Sequence, residues 1–152
     1  MAKFAIDLTP LKKYPDFRNL WAAGLVSYLG SMITYVAIPF QIKELTNSYL
    51  AVGIVGAIEL VPLIVFGLYG GVLADSVNRK IMVWTTEAAA LILVALLLAN
   101  SALWEPKVWV IYIAAGLFAV VDGLQRPSAD AMLPRLVGHQ DLPAATALMS
   151  LR

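Results

Sequence analysis

Among its 152 residues the chain has no cysteine and a single histidine, His139. The missing thiols exclude disulfide scaffolds and thiol nucleophiles. One imidazole in a polar segment, with no thiols, also argues against a metal site. Charge is scarce: 14% of the residues are Asp, Glu, Lys or Arg, where a soluble domain carries about 25%. Eleven basic residues against ten acidic ones leave +1, so no basic field exists to hold nucleic acid. No G-x-x-x-x-G-K-[ST] run occurs, and these residues hold no phosphate-cradling loop for ATP drive. No linker, low-complexity segment or repeat is visible. Nor does the first apolar stretch end in a cleavage-like small-residue motif. Arg18 and Lys43 bracket 24 uncharged residues, longer than the about 7–15 of a secretion signal, which reads as a retained anchor.

What is abundant is apolar: 61% of the residues, against about 45–50% in soluble domains. Four charge-poor runs, 20–42, 51–73, 81–103 and 109–132, each reach the ~20 residues that cross a bilayer. The expected fold class is an all-α membrane protein with four transmembrane helices. A water-soluble enzyme and an ordinary DNA-binding module are excluded. Residues 1–19 read as a cytoplasmic N-terminal segment, with Thr9-Pro10 as cap and first position of a short surface helix. Residues 74–80 and 133–141 read as cytoplasmic connections. Lys3, Lys12, Lys13, Arg18, Arg79, Lys80 and Arg135 fall on one side and only Lys43 and Lys107 on the other. Excess Lys and Arg mark the cytoplasmic side, so the N-terminus is expected in the cytoplasm of a multi-pass inner or plasma membrane protein. Tyr14, Phe17 and Trp21 suit that interface, and Trp104 and Trp109 the outer one. Residues 142–152, with Pro143 at an early helical position, read as the start of a fifth helix. The expectation is a fragment of a longer membrane protein.

Ionisable side chains inside a span are costly and face other helices or a wet cavity. Glu59, Glu87, Asp122, Arg126 and Asp130 are such residues. Asp122, Arg126 and Asp130 stand four apart on one helix face, either as a functional ladder or as charges that neutralise one another at a helix end. Gly123 and Pro127 place a kink there. Glu87 and Arg126 each lie ~9 Å inside the cytoplasmic face at ~1.5 Å per residue, and are expected to pair. Glu59 lies in the outer half of the second span with no cation at its depth. A lone buried carboxylate tends to hold a proton, which makes Glu59 the proton-carrier candidate, with a partner elsewhere or a water pocket as the plain alternative. Ser27, Ser31 and Thr34, flanked by Tyr28 and Tyr35, either line a polar cavity or mark close helix packing. Gly53, Gly56, Gly67, Gly70 and Gly71 read as packing glycines.

The segment Gly71-Val72-Leu73-Ala74-Asp75-Ser76-Val77-Asn78-Arg79-Lys80 resembles the loop signature of the major facilitator superfamily, G-x-L-A-D-R-x-G-R-[RK]. Gly71, Leu73, Ala74, Asp75, Arg79 and Lys80 match. Ser76 replaces a basic residue, and Asn78 replaces a glycine whose left-handed backbone Asn can adopt. Ala37-Ile38-Pro39-Phe40 with Leu45-Thr46-Asn47-Ser48 resembles the first helix end of a drug and siderophore exporter subgroup. Residues 126–137 with Asp141-Leu142, and Pro15-Asp16-Phe17-Arg18, also resemble that subgroup. The resemblance implies the first four of about twelve helices, with the fifth truncated, in a fold whose two halves rock about a midplane site. It implies gating by Gly71, Asp75, Arg79 and Lys80: Asp75 latches onto a helix N-terminus of the other half, and Arg79 pairs with Asp130.

The expected function is proton-coupled efflux of a small molecule, such as a drug or siderophore, by alternating access. The expected partners are that substrate, membrane lipid and the remaining helices of the same transporter, with no nucleic acid and no cofactor. A small four-helix multidrug transporter acting as a dimer is the first alternative, although residues 19–42 lack the acid that class uses. A membrane enzyme would need clustered His, Cys, Asp or Glu at a membrane surface, and none is visible. A non-transporting assembly protein would not need the charges inside a span.

Overall fold

The computed structural model describes residues 7–151, apart from the side chains of residues 71–76, 79 and 126–131. The expected all-α class is the one the chain adopts. The helices are α1 (Thr9–Lys13), α2 (Pro15–Thr46), α3 (Tyr49–Ser76), α4 (Arg79–Ser101), α5 (Val108–Leu136) and α6 (Leu142–Met149), with a 3-10 turn at His139–Asp141 before α6. Four helices contain stretches long and apolar enough to cross a membrane: Pro15–Thr46, Tyr49–Gly70, Lys80–Ser101 and Val108–Gln125. They run up and down, so the start of α2, the α3–α4 connection and the end of α5 share one end of the bundle, the N-terminal face.

The helix ends show which local signals were misread. Thr9 is not a cap. Leu8 holds the cap position of α1, and the Thr9 N–H donates to Asp7 Oδ1 at 2.9 Å. Asn78 does not adopt the left-handed backbone. Its φ is −62° and ψ 110°, and its Oδ1 accepts the Lys80 N–H at 3.0 Å. Asparagine acts there as an N-cap, taking up an amide that the helix leaves unpaired. The connection expected over 74–80 is correspondingly shorter, since α3 runs to Ser76 and α4 begins at Arg79. The left-handed asparagine is Asn47, at φ 51°. It ends α2, where Lys43 Nζ donates to both its carbonyl and its side-chain oxygen.

Helices α3 and α5 run parallel and make the closest approach in the bundle. A Cβ on Gly70 would lie 2.6 Å from the Gly123 carbonyl oxygen, and one on Gly123 would lie 2.9 Å from the Gly67 nitrogen. Gly116 faces Ile58 in the same seam, 3.2 Å from where its Cβ would be. Gly123 therefore serves backbone contact. Gly53, Gly56 and Gly67 would carry a Cβ into open space, so of the described glycines in α3 it is Gly70 that sets the distance. Toward the far end, Ile38, Ile42, Val55, Ile111 and Ala115 form a buried cluster, with Tyr112 donating its hydroxyl to the Ala51 carbonyl at 3.0 Å. Outward-facing apolar residues such as Ile33, Val36, Leu91 and Ile92 are exposed, as lipid-facing positions require.

The N-terminal face is closed by a clasp. Phe17 is fully buried against Leu133, Val137, Ala145 and Leu148, so it packs into a small core at this face. Trp21 Nε1 donates to the Leu148 carbonyl at 2.9 Å. Lys13 Nζ lies 2.7 Å from Asp141 Oδ2, which also accepts the Tyr14 hydroxyl at 3.0 Å. Gly138 leaves room for that hydroxyl, which a Cβ there would approach to 2.7 Å.

Two outcomes follow from these contacts. Gly70→Ala forces backbone apart and should cost about 1–3 kcal/mol, read as a lower melting temperature in detergent, whereas Gly53→Ala should melt no earlier than the parent. The Asp141 carboxyl is held below the usual carboxylate range, first by the Lys13 hydrogen bond and then by that of Tyr14. Its contribution is therefore complete at neutral pH and disappears as acid protonates the folded-state carboxylate. Melting of the parent and Asp141→Asn should differ at pH 7 and converge at a pH below that range.

Candidate functional site

One face of α2 carries Ser27, Ser31 and Thr34 with the spacing of successive helical turns. The structure divides this stripe between two places. Ser31, Thr34 and Tyr35 line a cavity of ≈ 20 Å³ together with Ile38 of α2, Glu59 of α3 and Phe118, Ala119 and Asp122 of α5. That volume is large enough for one water molecule, which needs about 10–15 Å³, between the helices. Glu59 and Asp122 are near enough to interact electrostatically across it. The close α3–α5 seam brings them together, because the Ile58–Gly116 and Gly67–Gly123 contacts fix the register of the two helices around that level. Thr34 also donates its hydroxyl to the Gly30 carbonyl at 3.0 Å, which satisfies its hydrogen within its own helix.

Ser27 points elsewhere. Its hydroxyl lies 3.0 and 2.9 Å from the two carboxylate oxygens of Glu87 on α4. Gln125 Nε2, from α5, donates to Glu87 Oε1 at 2.6 Å. A carboxylate in a span thus receives hydroxyl and amide hydrogens from two neighbouring helices. This is how an intramembrane charge is satisfied without leaving the helix layer. It also ties down the middle of α2, whose buried residues, Phe17, Ile38 and Ile42, lie toward its two ends.

The transmembrane secretion effector family model matches residues 5–152. The chain belongs to this family of the major facilitator superfamily. Among curated relatives, it is 32% identical over 149 residues to the enterobactin exporter EntS of Salmonella choleraesuis (strain SC-B67). It is equally similar to those of Shigella boydii serotype 18 and Escherichia coli O1:K1 / APEC. Each match covers 96% of this chain and 35% of the relative, so the chain spans about a third of the length of the curated relatives it matches. No solved structure matches it. The family and these relatives are transporters, and with four apolar helices the chain is a multi-pass membrane protein.

In this secretion-effector chain the residues singled out by sequence fall into three groups. Ser31, Thr34, Tyr35, Glu59 and Asp122 share the cavity. Ser27 and Glu87 meet at the polar junction. Lys80 is exposed at the start of α4, while the side chains of Asp75, Arg79, Arg126 and Asp130, and Gly71 among residues 71–76, lie outside the described residues. The expected Glu87–Arg126 pair falls there too. Gln125, the residue just before Arg126, is the one seen on Glu87, and sequence reasoning missed it. The signal was present, since Gln125 follows Asp122 by three residues on the same helix face. An uncharged amide simply drew no attention among the ionisable residues. Phe118, the apolar wall of the cavity, was missed because aromatic residues are common in any span.

Proposed function

We propose that this protein is a secondary active exporter of the major facilitator type, moving a small molecule out of the cell by alternating access and driven by proton entry. The observation that carries the reading is the cavity in which the α2 hydroxyl stripe meets Glu59 and Asp122, in a chain whose family and relatives are transporters. In this reading Glu59 takes up the proton. Its carboxyl lines a gap large enough for a water that could bring a proton in, and the apolar surroundings disfavour leaving it charged and unsolvated. Protonation and substrate then compete for, or alternately stabilise, two bundle arrangements, which is how an ion gradient shifts a two-state equilibrium.

The polar ends fit the same scheme. The N-terminal face is cytoplasmic in this reading, supported by the seven Lys and Arg at that end. Gly71, Asp75, Arg79 and Lys80 form the gate on that face. Asp75 latches against a helix N-terminus, where the macrodipole favours an anion, and Arg79 pairs with Asp130. A drug-like or siderophore-like molecule is the substrate class, the latter following the enterobactin exporters.

Glu59→Gln should abolish the dependence of transport on a pH gradient in everted membrane vesicles of cells expressing the protein, while the variant inserts normally. Unchanged coupling in that variant contradicts the proton-carrier role. Asp75→Asn should leave insertion intact and reduce transport at least about tenfold, which corresponds to ~1.4 kcal/mol. Normal transport in Asp75→Asn contradicts the latch.

A further inference from the structure

We infer that Glu87 is a second proton-exchanging carboxylate, an inner station between the Glu59–Asp122 cavity and the N-terminal face, positioned by Ser27 and Gln125. The inference rests on the proton coupling proposed above.

Position is the first argument. Counted from the helix ends on the N-terminal face at ~1.5 Å per residue, Glu87 lies ~12 Å in, Asp122 ~21 Å and Glu59 ~26 Å. Three carboxylates, on α4, α5 and α3, therefore descend toward one face in unequal steps. The longer step is bridged by polar side chains of two helices. Gln125 is one turn from Asp122 on α5 and touches Glu87 at 2.6 Å. Ser27 is one turn from the cavity residue Ser31 on α2 and touches Glu87 at 2.9 Å. A helical turn rises ~5.4 Å, a gap that one ordered water closes with two hydrogen bonds.

Chemistry is the second argument. A carboxylate needed only to hold helices together does as well with an amide, which both donates and accepts. Ser27 is different from Gln125, because its hydroxyl can donate to the carboxylate and accept from a protonated carboxyl by rotating its O–H. The junction is therefore satisfied in both charge states of Glu87. Among the described residues of the elements packed on α4, the groups facing Glu87 are Ser27 and Gln125, and the ionisable groups along the route are Asp122 and Glu59. In the forward direction the Glu59 carboxyl gives its proton to the Asp122 carboxylate. Asp122 passes a proton through the bridging hydroxyl and water to Glu87, and Glu87 releases it at the N-terminal face; at each transfer the donor becomes a carboxylate and the acceptor a neutral acid, so the summed charge of the three stations is unchanged until the proton leaves.

The test follows the proton and needs no knowledge of the substrate. The protein is reconstituted in phospholipid vesicles, a pH jump is applied on the N-terminal side, and infrared difference spectra follow the protonated-carboxyl band of Glu59, identified by its loss in Glu59→Gln. Glu87→Gln keeps the junction hydrogen-bonded and should slow the Glu59 response on the order of 100-fold, the low end of what a positioned acid–base group contributes. Glu87→Asp, which keeps an ionisable group, should recover most of that rate, a rescue that a purely structural role would not give. A Glu59 band that follows the jump at the parental rate in Glu87→Gln overturns the inner station alone. A parental protein whose Glu59 band ignores pH overturns the proton-carrier reading and the station with it.

Discussion

The contact between the backbones of α3 and α5 decides where everything else in this bundle can go. With Gly70 and Gly123 in the seam, the two helices lie closer than any side chain would permit. Tight packing of small residues is what holds helices together in lipid, where tails are as apolar as leucine and burial between helices gains little. The approach does more than bind the pair. It locks the register, and the register carries Glu59 and Asp122 into one cavity although they sit on different helices. A shift of one residue along α5 would turn Asp122 about 100° around its helix and remove it from the gap.

A second constraint acts on the polar side chains. Inside hydrocarbon no water is on hand, so each polar group takes a partner or a wet gap. The α2 stripe shows both solutions in successive turns. Ser27 is spent on Glu87, whereas Ser31 and Thr34 open onto the cavity. Among the described contacts, helix α2 is held by the Ser27–Glu87 tie in its middle, by the Gln41–Ser101 hydrogen bond nearer its end and by apolar clusters at its ends. Such an arrangement is compatible with the alternating-access cycle proposed above. The clasp of Lys13, Tyr14 and Asp141 then keeps its N-terminal end in place against α6.

Much of this was legible beforehand, and the limits have physical reasons. Run length and charge scarcity are properties of the bilayer as solvent, so an all-α membrane protein could be read from composition and pattern alone. The α2 stripe was legible because helical periodicity assigns residues to faces. It could not say which residues on that face meet which neighbour, and so Ser27 stayed open between cavity lining and close packing, where the structure sets it against Glu87. Asn78 was misjudged because asparagine serves equally well in a left-handed turn and as an N-cap; only the following helix start distinguishes the two. Among the glycines, sequence showed that close approach was available, but Gly70 and not Gly53, Gly56 or Gly67 uses it, since the choice depends on the facing helix. Glu87 shows the same limit in its sharpest form. Its depth was readable, but depth alone could not show that Gln125 donates to it.

The central claim is that the polar groups of α2 and α5 face a wet interior while their neighbours face lipid. The absence of native cysteine lets single cysteines be read without background. Cysteines replacing Ser31, Thr34, Ile33 and Leu91 in turn would be exposed to a membrane-impermeant maleimide in sealed and in opened vesicles. Labelling at 31 and 34 with none at 33 and 91 is the predicted pattern; labelling at 33 or 91 with silence at both 31 and 34 would contradict it.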